Sequence, residues 1–312
     1  MKFSRFSNLS EKQSETPPMN FLCFLQGGGV DEQEGEFTSF DNTGLYYRTW
    51  IPENPNGLVL YLHGAFSHAG EATFPAEHLA DNLNLATYAF DQRGWGHWNG
   101  TPGHITNREV LITDALSFYE FIQSKHPDLP IILMGHSMGG MIGLRLLIDH
   151  GDKFVCAIFS SPWIASRVQP PFAIKLFSSL FSVIWPTFSD TAPFKVDELT
   201  HDNAVIGQHY REIEEGVRKT TATARWFVEI SKLQEEVKEG AEYIHHPVLI
   251  MQAGQDLLVK DGASKDVFNK INSKKKKWMY YPNMYHELFN ELDREEPLSE
   301  ASTYIDTYLK TV

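Results

Sequence analysis

The sequence predicts an α/β fold: a mostly parallel central sheet with helices on both faces, interrupted by a helical insertion. Three observations predict it. Short, branched, uncharged runs recur at residues 58–62, 85–90, 131–134, 155–159 and 247–251, as expected of strands buried on both faces of a parallel sheet. Amphipathic stretches long enough for helices separate them, and that alternation implies right-handed crossovers. Between Ser161 and about Leu233 the alternation breaks off into helical patterns and prolines with no strand of comparable quality, and then it resumes.

Taken in order, residues 1–36 read as a flexible tail. Its one sticky patch, Phe21-Leu22-Cys23-Phe24-Leu25, is followed by Gly27-Gly28-Gly29 and an acidic run from Asp31 to Glu36, a composition that favours a tether. The runs 37–40 and 45–50 flank Asp41-Asn42-Thr43-Gly44, a hairpin signature. The strand at 58–62 ends at His63-Gly64, and a helix around 74–82 leads to the strand at 85–90. That strand ends in Asp91-Gln92-Arg93-Gly94-Trp95-Gly96. A helix over about 107–125 carries Leu111, Ala115, Phe118, Tyr119 and Ile122 on one face. Strands at 131–134 and 155–159 bracket a helix that runs to His150. After the insertion come strands at 247–251 and 278–281 and a closing helix over about 298–309. The expected organisation is therefore a tail (1–36), a first part of the core (37–160), a helical insertion (161–233) and a second part of the core (234–312).

Composition narrows the function. A chain of 312 residues with 42% apolar residues, 21 Phe, 12 Tyr and 7 Trp can build a large core and a greasy pocket. A net charge of -13 argues against nucleic acid, whose phosphates demand a basic face. Cys23 and Cys156 make no disulfide framework and fit a reducing, cytoplasmic setting. The first 18 residues hold no apolar core of a secretory signal. No uncharged apolar stretch reaches the roughly 18 residues of a membrane span. Lys274 to Lys277 reads as a solvated loop before a strand. His245-His246 lacks metal-ligand spacing, and no Lys-Ser/Thr follows Gly27 to Gly29, so neither a metal nor a phosphate-bearing cofactor is expected.

The chemistry centres on Ile131-Ile132-Leu133-Met134-Gly135-His136-Ser137-Met138-Gly139-Gly140. A buried strand stops at a serine fenced by glycines, and helical spacing begins beyond it. Ser137 should thus stand at the tip of a sharp strand-to-helix turn, with Gly135 and Gly139 letting the two elements approach closely. A serine hydroxyl is a poor nucleophile at neutral pH and needs a base and a carboxylate to orient that base. Asp256 follows the strand at 247–251 and His286 follows the strand at 278–281, giving the order Ser, Asp, His, each beyond the carboxyl end of a separate strand. Two backbone N–H groups should face a developing oxyanion: Met138, at a helix N-terminus, and Ala65, after His63-Gly64.

Together, Leu62-His63-Gly64-Ala65, the Asp91–Gly96 loop, Gly135-His136-Ser137-Met138-Gly139-Gly140, Ser161-Pro162, Gly254-Gln255-Asp256 and Tyr285-His286-Glu287 resemble the monoacylglycerol lipase and lysophospholipase group of serine hydrolases over about residues 40–310. The resemblance implies an α/β-hydrolase fold, with Ser137 as nucleophile, His286 as base, Asp256 as orienter and Ala65 with Met138 as oxyanion donors. It also implies a helical lid over a hydrophobic acyl pocket, for which Phe66, Trp163, Phe177 and Phe181 are the candidate lining residues. The Asp91–Gly96 loop is commoner among such folds, and Asp91 and Arg93 read as structural. The group often continues its His-Gly-Ala with Gly-Glu-His and an arginine, where this chain has Phe66-Ser67-His68-Ala69-Gly70 and no arginine nearby. Its Tyr-x-x-Asp-Pro is here Tyr210-Arg211-Glu212-Ile213-Glu214. The expected substrate is a small acyl ester, free or presented by a membrane or micelle, with no cofactor, no nucleic acid and no obligate protein partner. Two rival readings stand beside it. An aminopeptidase or thioesterase of the same fold would, in the first case, need a lid carboxylate such as Glu212 or Glu214 to face an ammonium group, and a non-catalytic binding protein would carry a broken triad.

Overall fold

A computed structural model describes residues 30–167, 179–192 and 194–311. An antiparallel pair, β1 (Asp31–Thr38) and β2 (Gly44–Ile51), opens the sheet. Then β3 (Gly57–Leu62), α1 (Thr73–Leu83), β4 (Leu85–Phe90), α2 (Glu109–Lys125), β5 (Ile131–His136), α3 (Met138–His150) and β6 (Ala157–Ser160) follow in strict alternation. The insertion contributes helical residues at 179–184, β7 (Ser189–Thr191), α4 (Asn203–Glu214) and β8 (Thr221–Thr223). The chain closes with α5 (Ala224–Gly240), β9 (Val248–Ala253), α6 (Ala263–Lys270), β10 (Lys276–Tyr281) and α7 (Glu295–Leu309).

The eight-stranded sheet runs β1-β2-β4-β3-β5-β6-β9-β10. β2 pairs antiparallel with both neighbours, and every pair from β4 to β10 is parallel. Because strand side chains alternate, each central strand feeds two cores. Leu58, Leu60, Leu62, Leu133, Phe159 and Ile250 pack beneath α2, α3 and α5, while Val59, Tyr61, Ile132, Met134, Ile158 and Leu249 pack against α1 and α7. The carboxyl ends stay in step, with Leu62 paired to Gly135, His136 to Ser160, Ser160 to Met251 and Tyr281 to Ala253. Loops leaving β3, β5, β9 and β10 therefore start from one edge. Arg93, far from solvent, bonds Asp114 on α2 at 2.6 Å and Asp41 in the hairpin turn at 2.7 Å, which is the structural part expected of its loop.

Four expectations are corrected. The tail was drawn to residue 36, yet Asp31 to Glu36 form most of β1. They lie on the sheet's edge, where acidic side chains stay in water while the backbone pairs, so acidity does not prevent a strand there. The insertion was read as purely helical, but β7 and β8 pair antiparallel within it, and three-residue strands are too short to carry a sequence period. Its boundary at 233 falls inside α5, whose Ile230, Leu233 and Val237 are buried in the core above α3; α5 belongs with the core layer. Finally, Lys276 and Lys277 lie within β10, and Lys276 Nζ bonds the carbonyls of Phe268, Asn269 and Ile271 at the end of α6, where a cation meets the negative helix terminus. Among the described residues no helix is long and apolar enough to cross a membrane.

Candidate active site

Ser137 links β5 to α3 with φ 51° and ψ -114°, a region that non-glycine residues enter at a cost of about 1–3 kcal/mol. The surrounding bonds hold it there. Its N–H donates to the Ser160 carbonyl at 2.9 Å, and its own carbonyl accepts from Met141 and Trp163 N–H, each at 3.0 Å. A Cβ on Gly135 would stand 2.7 Å from the Gly139 carbonyl carbon, and one on Gly139 would collide with the Leu62 carbonyl oxygen. The two glycines are therefore required by the close approach of α3 to β5 and β3.

Beyond β9, Asp256 is fully buried. Its Oδ1 accepts the N–H groups of Leu258 and Val259, each at 2.9 Å, and its Oδ2 lies 2.8 Å from His286 Nδ1 and 3.2 Å from Gln252 Nε2. Burial raises the Asp256 carboxyl, but the His286 charge and hydrogen bond with these N–H groups outweigh it and hold it below its ordinary value. Burial also lowers His286, and Asp256 overrides it, holding the imidazole above 6.5. With Nδ1–H directed at Asp256, Nε2 is the free basic nitrogen. The His286 ring packs on His136, the residue before Ser137, with centroids 4.6 Å apart. Asp256 and His286 are thus in direct contact beyond the carboxyl edge of the sheet, and Ser137 follows the residue whose ring His286 packs on.

The loop after β3 closes the other side. Gln92 N–H donates to His63 Nε2 at 3.0 Å, so His63 carries its proton on Nδ1 and donates to the Gly64 carbonyl at 2.7 Å. Burial pushes His63 down to about 4, which keeps it neutral. A Cβ on Gly64 would lie 3.3 Å from Ser137 Cβ, so the Gly64-Ala65 segment abuts the serine. Phe66 follows at φ 62°. Its buried ring packs on Trp95, Phe194 and Trp226 at 4.6, 5.4 and 5.8 Å, anchoring the end of this loop in an aromatic cluster.

Of the expected pocket residues, Phe66 is in that cluster. Trp163 is half-buried at its edge, 5.7 Å from Trp226, with Nε1 donating to Ser166 Oγ at 3.0 Å. Phe181 stacks on Phe188 at 5.0 Å, and Phe177 lies outside the described residues. Leu180, Val183, Ile184, Trp185 and Phe188 are exposed.

Sequence reasoning missed a buried polar network on the side of the insertion. Glu71, beyond β3, accepts Gly64 N–H at 3.1 Å and Tyr61 O–H at 3.0 Å. Glu287, next to His286, lies 3.0 Å from His209 on α4. Glu212 on α4 accepts from Arg218 Nε at 3.0 Å and Gln208 at 2.8 Å, and pairs with His68 at 3.2 Å. Burial opposes the Glu212 charge, but His209, His68 and Arg218 hold its carboxyl well below the ordinary range. Burial likewise opposes Glu287, and His209 and Arg218 hold it ionised. The tyrosine-to-glutamate stretch after β10 was legible as a motif, but no helix or strand period marks Glu71 or Arg218, whose partners Gly64, Tyr61 and Glu212 are met across turns of the chain. Ligand atoms of Glu71, His136 and Glu287 lie within 4.8 Å of one another, the sole such group among the described residues. Both carboxylates already accept protein donors. Of the two carboxylates that an aminopeptidase could use, Glu212 is engaged by Arg218, Gln208 and His68, and Glu214 is exposed.

A strained serine turn at the carboxyl edge of a parallel sheet, served by a histidine on a buried aspartate, defines one class of protein, the serine hydrolases of the α/β-hydrolase fold. The model of the family described as serine aminopeptidase, S33 (Hydrolase_4) matches residues 53–293, and the chain belongs to that family. It is similar to phospholipase YtpA of Bacillus subtilis, at 27% identity over 84% of this chain and 99% of the relative. It is also similar to a monoacylglycerol lipase of Mycolicibacterium smegmatis, at 22% identity over 88% of this chain and 98% of the relative. The solved monoacylglycerol lipase of Paleococcus ferrophilus shares the fold, with a TM-score of 0.75 and 24% identity over 85% of this chain and 99% of that one.

Proposed function

We propose that this protein hydrolyses acyl esters of the monoacylglycerol or lysophospholipid kind through a covalent acyl-enzyme. His286 Nε2 takes the proton of Ser137 Oγ as the oxygen attacks the ester carbonyl, and Asp256 holds the imidazole and stabilises its charge. The N–H groups of Ala65 and Met138 receive the oxyanion, where each donor is worth roughly 3–4 kcal/mol. His286 then protonates the departing alcohol. It next deprotonates the water that attacks the acyl-enzyme, and the acid leaves.

The observation that carries this reading is the Asp256–His286 contact of 2.8 Å beside a serine held at φ 51°. The names of the relatives, phospholipase and monoacylglycerol lipase, support a lipid ester. The exposed side chains of Leu180, Val183, Ile184, Trp185 and Phe188 support uptake of substrate from a micelle or membrane surface. The family description favours amino-terminal peptide cleavage as a second reading, and the engaged Glu212 speaks against it. The test is labelling by a fluorophosphonate followed by a panel of acyl esters, from short to long chains, run against amino-acid arylamides. Labelling at Ser137 with turnover of esters alone is expected. Turnover of arylamides alone, or no labelling at Ser137, overturns the proposal.

A further inference from the structure

Ala65 N–H points at a reacting carbonyl only if the peptide that carries it is turned the right way, and the residue before it is a glycine, the least constrained of all residues. Two side chains remove that freedom. His63 Nδ1 holds the Gly64 carbonyl at 2.7 Å, and Glu71 accepts the Gly64 N–H with both carboxyl oxygens, at 3.1 and 3.2 Å. Glu71 is itself fixed by Tyr61 O–H at 3.0 Å. A Cβ on Gly64 would stand 3.3 Å from Glu71 Oε2 and 3.3 Å from Ser137 Cβ, so Glu71, Gly64 and the serine are adjacent layers.

We propose that Glu71 is a positioning residue for the oxyanion donor: by accepting Gly64 N–H it fixes the His63–Gly64 peptide, and with the Gly64 carbonyl held by His63 this fixes both sides of Gly64 and so the direction of the Ala65 N–H that follows. The inference rests on the esterase reading above. Charge supports it. Glu71 is faced by Tyr61 on β3, Ser67 on its own loop, His136 at the end of β5, Glu287 beyond β10 and Arg218 after α4. Burial and the Glu287 charge push Glu71 up to about 7. Either state of the carboxyl keeps an oxygen that can accept Gly64 N–H, and as an anion it adds to the charges that hold the His286 imidazole up.

The test compares Glu71→Met, which matches the shape but cannot accept, with Glu71→Gln, whose amide oxygen can. Each is assayed for kcat and KM on a p-nitrophenyl acyl ester, with thermal unfolding as the check on folding. The Met variant should lose about 10- to 100-fold in kcat, as sub-ångström misplacement does, with KM within about threefold. Gln should recover at least about tenfold of a hundredfold loss, because the acceptor survives. A Met variant within about twofold of wild type, or a folded Gln variant as slow as Met, overturns the proposal. If Met does not pack, Glu71→Ala removes the acceptor without bulk and is judged by the same criteria. If neither folds, Gln alone decides: a loss under about fivefold supports the proposal, and a loss over about a hundredfold overturns it. Fluorophosphonate labelling of the wild-type protein separates the two layers. No labelling defeats the esterase reading, whereas labelling with unchanged variant rates defeats only the role of Glu71.

Discussion

The floor of the site and the insertion above it are held by opposite means. On the floor, the serine turn and the Asp256 loop leave strands buried on both faces, so apolar packing fixes the backbone and hydrogen bonds then aim the side chains. On the insertion side, α4 contributes His209 and Glu212, which reach Glu287 and His68 across the site, while Arg218 holds Glu212 from the loop beyond. That contact is ionic, and the apolar side chains at 180–188 face solvent instead of the core. A rigid floor suits chemistry that fails by misplacement, whereas an insertion joined by charges can be released by changing one of them.

The floor is tested hardest by Ser137→Ala. It should lose roughly a million-fold in kcat without change in unfolding temperature, and ordinary activity in that variant would remove the floor from the mechanism. Asp256→Asn comes next, with an expected loss of about 10⁴-fold from the wrong imidazole tautomer. The pH profile of that variant sharpens the point. Asp256 holds His286 above 6.5 and the base must be neutral, so kcat/KM of the wild type should rise with pH through a value above 6.5. In the Asn variant this acid limb should move to lower pH. The linkage to stability has two limits: the Asp256–His286 pair contributes fully between about 3.8 and 6.5, loses its contribution as pH rises through the elevated His286 value, and loses it as pH falls through the depressed Asp256 value.

The insertion is tested by Arg218→Met, which leaves the buried Glu212 without the guanidinium that bonds it at 3.0 Å. Removing one partner of a buried pair costs roughly 3–5 kcal/mol, read as a fall of several degrees in thermal unfolding. An unchanged melting temperature would mean that the ionic contact does not hold the insertion. The smallest effect belongs to the exposed patch. Ile184→Ser with Trp185→Ser should change turnover of a monomeric short-chain ester by less than about twofold, but reduce turnover of a micellar long-chain ester several-fold. Equal effects on both would return the patch to ordinary packing of the insertion.

What was legible in the sequence follows the same division. The order of elements around β3, β5 and β9 could be read because buried parallel strands are continuous apolar runs, and the placement of Ser137, Asp256 and His286 after separate strands followed from that order. β1 was misread because an edge strand tolerates acidic residues, and β7 and β8 because three residues show no period. α5 was cut because an amphipathic helix reads alike whether it covers a core or a lid. The sequence by itself determined where reactive groups leave the sheet, since hydrophobic period and turn chemistry are local properties. Only the tertiary structure decided that Glu71 would hold Gly64, that His209 would meet Glu287 and that Arg218 would close on Glu212. The last two join the insertion to the floor and to its own buried charge. A buried charge takes whichever partner the folded chain brings within reach, and no neighbour along the sequence announces it.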